Sequence, residues 1–387
     1  MSEDAAAATR PSPLHDEHVA LGATLVPFAG WSMPLRYGSD LAEHTAVRSA
    51  AGLFDLSHMA EIWVLGPDAG AFLDRALVGS FAGMAVGRAR YTMICVESGA
   101  VLDDLIVYRL GDEQYLVVAN AANHDPVLAA LTERVGDLGV SVEDRTDTTA
   151  LVAVQGPRAL EILQATPGLV VDGLPDLRYY AALEATFEVD GEPLPVLIAR
   201  TGYTGEDGFE LFVDAAATGV PLWRALLAAG EAFGLVPAGL AARDSLRLEA
   251  GMPLYGHELD LTVTPYAAGL GRVVKLDKTD ADGAPLEFVG RTALYARAHS
   301  APARVLVGLV GDSRRAARQG YDVTTRSGTH VGHVTSGAPS PTLGVPIAMA
   351  YVTPEASAEG TELAVDVRGR LEPVHVVPLP FYRRPSA

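Results

Sequence analysis

The stretch Glu61-Ile-Trp-Val-Leu-Gly-Pro-Asp-Ala-Gly-Ala-Phe-Leu-Asp-Arg-Ala-Leu-Val78 holds two patterns in succession. Glu61–Leu65 reads as a strand, and after Gly66-Pro67-Asp68 the apolar residues of Ala69–Val78 recur at helical spacing. Pro67 near a helix start suits its fixed φ. The same strand, turn and helix return as Ala150–Gln155, Gly156-Pro157 and Arg158–Ala165. Between these units, Tyr91–Val96 and Leu105–Leu110 flank the turn-like Glu97–Asp103, which predicts a hairpin. Gln114–Ala119, Leu194–Arg200 and Phe209–Val213 read as further strands. Asp125–Val135, Pro221–Phe233 and Leu240–Ala250 read as helices, the last closed by Gly251. After Arg304 nearly every segment is a strand: Val305–Val310, Tyr321–Thr325, His330–Thr335, Ile347–Val352, Leu363–Val367 and Val374–Pro378. The expected class is therefore α+β up to about residue 275, a charged Gly/Pro-containing linker over 276–303, and a small all-β barrel over 304–387. Residues 1–13 read as a disordered tail.

Composition narrows the function. The 387 residues carry 48 acidic and 29 basic side chains, a formal net charge of -19. That balance disfavours unspecific binding to nucleic acid or to an anionic membrane surface. No apolar run approaches the roughly 20 residues of a membrane span, and the N-terminus lacks the basic and apolar regions of a signal peptide. A cytoplasmic protein is expected. The single cysteine, Cys95, permits neither an intrachain disulfide nor a cysteine metal cluster, and the ten histidines show no HExxH spacing, so no metal is expected.

Three constellations could carry chemistry. In Gly99-Ala-Val-Leu-Asp-Asp-Leu-Ile-Val-Tyr108, strand alternation sends Asp103 and Asp104 to opposite faces, which argues against a shared carboxylate dyad. Either one at the mouth of an apolar strand could accept hydrogen bonds or act as a base, although spacing alone favours an aspartate bonding its own backbone in the turn. In Arg200-Thr-Gly-Tyr-Thr-Gly-Glu-Asp-Gly-Phe-Glu-Leu-Phe-Val213 the glycines do not follow GxGxxG and a strand succeeds them, so they serve a tight loop and close backbone approach. Glu210 could accept paired hydrogen bonds from a flat guanidine-like edge. On the helix Leu240–Ala250, Arg243 and Arg247 share a face, and an Asp244–Arg247 pair would leave Arg243 to point into a ligand site. His58 reads as a structural histidine.

These segments resemble, in order and nearly collinearly from Pro13 to about Pro380, the T-protein (aminomethyltransferase) family of the glycine cleavage system. The resemblance runs through FAGWSMP, EHTAVRSAAGLFDLSHM, GAVLDDLIVYRL, ALVAVQGP, RTGYTGEDGFELFV, PAGLAARDSLRLEAGMPLYGHELD, TPYAAGLGRVVKLDK and TSGAPSPTLGVPIAMAYV. It implies two ferredoxin-like α+β domains and a C-terminal β-barrel in a clover-like arrangement around a folate channel. It implies transfer of a one-carbon unit from the aminomethyl-lipoyl arm of H-protein to tetrahydrofolate, with neither metal nor flavin. It implies Asp104 as the catalytic aspartate, Glu210 and Arg243 as the pterin-contacting pair, Tyr91 packed on the folate, and Tyr382 or Arg383 as a C-terminal contact. This chain carries Ala100 where a second glycine is usual and Arg272 where the family often has Trp. A folate-dependent demethylase would use the same pterin grip with a methylated donor. A non-enzymatic folate-binding protein of iron–sulfur assembly would carry a cysteine within residues 200–210, and this chain has none there.

Overall fold

The two strand–turn–helix units are built with one local device. Gly66 and Gly156 adopt φ +128 and +140, conformations closed to side chains. A Cβ at Gly66 would run into the Gly139 carbonyl, and one at Gly156 into the Ala50 carbonyl. Three residues later the helices Ala69–Ala76 and Ala159–Ala165 begin, the amides of Ala69 and Ala159 each bonding the glycine carbonyl at 3.0 Å.

The computed structural model describes residues 9–280 and 283–385. One body of structure takes the described residues up to Glu61 together with Asp144–Asp244. Its seven-stranded sheet runs, in spatial order, Leu169–Val170, Ala182–Val189, Glu192–Ala199, Gly208–Asp214, Thr149–Gln155, Ala51–Asp55 and Leu235–Pro237. With helices Ala159–Ala165 and Val220–Gly230, the strands Thr149–Gln155, Glu192–Ala199, Gly208–Asp214 and Leu235–Pro237 follow a βαββαβ order; Ala51–Asp55 is inserted into it, and Ala182–Val189 and Leu169–Val170 extend one edge. Leu53, Val152, Val154, Phe209, Leu211, Leu222 and Trp223 form the centre of its core.

The second body takes Ile62–Glu143 and the chain from Ser245. Its five-stranded sheet runs Arg88–Cys95, Val101–Gly111, Gln114–Ala119, Ala60–Leu65 and Ser141–Asp144. With helices Ala69–Ala76 and His124–Arg134 the order is again βαββαβ, extended at one edge by Arg88–Cys95. The expected hairpin is present, Tyr91 facing Ile106 and Met93 facing Asp104. Cys95, 1% exposed, packs with Met93, Val101, Leu259 and Leu294 as a small core hydrophobe. The chain closes with a six-stranded barrel of Val305–Gly311, Pro346–Val352, His330–Pro339, Asp322–Thr325, Glu362–Asp366 and Leu371–Val377. The fold is mixed α+β with a closed β-barrel.

Several segments differ from the sequence reading. Of the expected tail, residues 1–8 lie outside the described residues. Arg10–Pro11 pair in parallel with Trp31–Ser32, and the Arg10 guanidinium sits 3.5 Å from the Trp31 ring centre. FAGWSMP forms the turn and most of the second strand of a hairpin, Thr24–Phe28 against Trp31–Arg36. The expected linker 276–303 contains the helix Arg291–Ala298. It also contains Lys278, 6% exposed, whose ammonium donates to the carbonyls of Leu77 (2.7 Å) and Gly79 (2.9 Å) and lies 3.8 Å from the Phe288 ring centre. A lysine satisfied by carbonyls and an aromatic face ties this span down in a way its composition hides.

Candidate active site

The hairpin between Arg88–Cys95 and Val101–Gly111 places Asp104 opposite Met93, hence on the face that also carries Tyr91. The two side chains are diagonal neighbours, within reach of an aromatic residue. The Tyr91 hydroxyl donates to Asp104 Oδ2 at 3.0 Å, and Asn120 Nδ2 donates to Oδ1 at 2.8 Å. Asp104 is half-buried. Burial raises its pKa above the usual carboxylate range, and the bonds from Tyr91 and Asn120 pull against that rise.

Asp103 is fully buried, opposite Ile94. It accepts from Asn120 N and Asn120 Nδ2, each at 2.9 Å, and from Asn123 Nδ2 at 2.6 Å. Burial, then the charge of Asp104, raises its pKa. The expectation that alternation keeps these carboxylates apart needs correction. They do not bond each other, but one amide, Asn120, donates to both. Asp103 and Asp104 keep consecutive register positions against Ile94 and Met93, and Asn120, at the end of the neighbouring strand Gln114–Ala119, reaches both. Asn120 and Asn123 were missed in the sequence; the run Val117-Val-Ala-Asn-Ala-Ala-Asn123, a strand ending in asparagine before a helix, was the available signal.

Glu210 and Arg243 belong to the other body. Glu210, 8% exposed, lies in the strand Gly208–Asp214 between Ala153 and Ala199, small residues that leave room beside its carboxylate. The Thr201 hydroxyl donates to Glu210 Oε2. Arg243 lies on the helix Leu240–Glu249, its guanidinium 4.7 Å from the Tyr203 ring centre. The segment 200–213 thus supplies Glu210, the threonine that orients it and the aromatic face under Arg243. His58, 3% exposed, is held neutral: burial, then the Arg243 charge, lowers its pKa to about 4.

On the same helix Arg247 is 1% exposed and bonds Glu258 at 2.9 Å, Ser336 at 2.8 Å and the Met252 carbonyl at 3.2 Å. Beyond the Asp244 partner that the sequence suggested, these bonds reach residues 5, 11 and 89 positions further along the chain. Gly251 follows the helix with φ +63, its amide bonding the Leu248 carbonyl while that of Met252 bonds Arg247, a C-terminal cap as expected. Tyr382 is fixed through its amide, which donates to the Glu249 carbonyl at 2.8 Å. Arg383 is exposed, and among the described residues it makes no bond to another candidate. The structure therefore joins Tyr91 to Asp104, and Glu210 and Arg243 to one segment.

Among the described residues no group of three or more His, Cys, Asp or Glu side chains could hold a metal ion. Nor is any helix among them long and apolar enough to cross a membrane. Two family models match the chain, the GCVT N-terminal domain over residues 14–278 and the glycine cleavage T-protein C-terminal barrel domain over 304–383. An aminomethyltransferase of Streptomyces avermitilis is 58% identical over 381 residues, covering 97% of this chain and 98% of that protein. One from Moorella thermoacetica is 47% identical over 379 residues, covering 97% and 99%. The crystal structure of glycine cleavage system aminomethyltransferase T from Bartonella henselae superposes with a TM-score of 0.86 at 35% identity, covering 96% of this chain and 98% of that one. With both models matched in order and such identity along almost the whole length, the chain is an aminomethyltransferase and belongs to the glycine cleavage T-protein family.

Proposed function

We propose that the chain takes the aminomethyl group from the lipoyl arm of H-protein and passes its one-carbon unit to tetrahydrofolate. The products are 5,10-methylenetetrahydrofolate, ammonia and dihydrolipoyl H-protein, and the setting is the cytoplasm. The observation that carries the reading is Asp104. It is a half-buried carboxylate with a raised pKa, held by Tyr91 and Asn120 at fixed distances. A carboxylate whose pKa is moved toward neutrality is suited to accept a proton and to give it back.

The residues present fit the co-substrate. Glu210 is a buried acceptor of the kind that a 2-aminopyrimidinone edge requires, and Thr201 fixes one of its oxygens. Arg243, flat and stacked on Tyr203, offers in-plane donors. Tetrahydrofolate supplies the nucleophilic amines. In this reading Asp104 hydrogen-bonds those amines and moves the proton that transfer releases. Tyr91 and Asn120 keep Asp104 aimed, and Glu210 with Arg243 offer the pterin paired polar contacts.

Formation of methylenetetrahydrofolate from aminomethyl-loaded H-protein tests the reading. Asp104→Asn should still bind tetrahydrofolate and lose about 10²–10⁴-fold in turnover, the range of a removed general base. Full activity in Asp104→Asn, with Asp103→Asn inactive, would assign the chemistry to the other carboxylate.

A further inference from the structure

Gln155 ends the strand Thr149–Gln155 and faces Gly208 across the ladder, 2% exposed. A Cβ at Gly202 or at Gly208 would collide with its carboxamide. These two glycines of the RTGYTGEDGFE segment therefore leave a slot, and Gln155 fills it. Nε2 donates to the Thr201 carbonyl at 3.0 Å, and Oε1 accepts from the Thr204 hydroxyl at 2.9 Å. One amide thus grips both ends of the four-residue span 201–204. Inside that span, Thr201 donates its hydroxyl to Glu210 and Tyr203 lies against the Arg243 guanidinium. Arg48 adds a second hold, donating to the Thr204 carbonyl at 2.7 Å and to Glu206 at 2.9 Å.

We propose that Gln155 is a positioning residue for folate binding: by clamping residues 201–204 through the slot between Gly202 and Gly208, it sets the orientation of Glu210 and Arg243. This rests on the reading that Glu210 and Arg243 hold the folate. The slot requires one donor and one acceptor in a single planar group. Methionine fills the volume with neither, whereas a protonated glutamic acid supplies both. An ionised glutamate would turn negative charge toward the Thr201 carbonyl.

The test compares Gln155→Met, Gln155→Glu and Glu210→Gln with the unaltered protein. It reads the Kd of tetrahydrofolate by calorimetry, the KM of each substrate, kcat and the thermal midpoint. Gln155→Met should raise the Kd and KM for tetrahydrofolate about tenfold, the effect of misplacing a buried hydrogen-bonding pair. Its kcat at saturating tetrahydrofolate and its KM for aminomethyl H-protein should stay within about twofold, a split that general loosening would not give. Gln155→Glu should recover folate affinity at acid pH and lose it as pH rises. Normal folate affinity in a folded Gln155→Met, beside weakened Glu210→Gln, overturns the inference. Normal affinity in Glu210→Gln overturns the underlying reading instead. If Gln155→Met does not fold, Thr204→Val, which removes the hydroxyl donated to Oε1, carries the same decision. Folate affinity within about twofold of normal in that variant then overturns the inference.

Discussion

Removing the Tyr91 hydroxyl should move the pH profile of the enzyme in a direction fixed by its geometry. The hydroxyl donates to Asp104 Oδ2 at 3.0 Å and so stabilises the ionised carboxylate. Hydrogen bonds to charged groups are worth about 1.5–3 kcal/mol. Asp104 is half-buried, so water can take over part of that role, leaving roughly 1.4 kcal/mol, or about one pKa unit. The sign follows from the charge state that the bond favours. Tyr91 lowers a pKa that burial has raised, so Tyr91→Phe lets it rise further. If Asp104 works as a base, activity requires its ionised form, and the acid limb of kcat/KM should shift up by about one unit in Tyr91→Phe. Below the limb the variant should be about tenfold slower, and at high pH the two profiles should converge. The assay is the initial rate of methylenetetrahydrofolate formation from aminomethyl H-protein across the pH range. A limb that stays in place, or one that moves down, refutes the role given to the Tyr91–Asp104 bond. A uniform loss at every pH would place Tyr91 against the ligand instead.

Other consequences are more local. Arg247→Leu strands the fully buried Glu258 carboxylate and should cost about 3–5 kcal/mol in chemical denaturation; Glu258→Gln added to it should recover part of the loss, and simple additivity of the two changes would contradict the pairing. His58 should stay neutral to about pH 4 by NMR, and Arg243→Leu should raise that pKa, because the Arg243 charge is its second-largest depressing cause after burial. Asp103→Asn should stay active, since Asp103 is fully buried and spent on Asn120 and Asn123. Its inactivity beside an active Asp104→Asn would reverse the roles of the pair.

The repeated turn, Gly66-Pro67 and Gly156-Pro157, was legible because strong punctuation lies between an alternating and a helical pattern. The barrel was legible for a similar reason, as short strands broken by turn residues. The hairpin Thr24–Phe28 with Trp31–Arg36 was not, because Pro27 and Pro34 argue against strands until the cross-strand pairing is known. Lys278 was hidden because a buried ammonium depends on carbonyls that come from residues 77 and 79, 201 and 199 positions away in the chain. Within the site, strand alternation could say that Asp103 and Asp104 differ in surroundings, but it could not foresee that Asn120, just past the strand Gln114–Ala119, reaches both. Gln155 was legible only as a strand end before Gly156, since its role exists only when Gly202 and Gly208 come beside it.

The reaction itself is tested most directly by following carbon. With the aminomethyl carbon on the lipoyl arm of H-protein labelled, the chain and tetrahydrofolate should yield labelled 5,10-methylenetetrahydrofolate and one ammonia per label, and Asp104→Asn should bind tetrahydrofolate without forming that product at a comparable rate. Turnover only with a methylated small-molecule donor, and none with H-protein, would contradict the account and make the chain a demethylase.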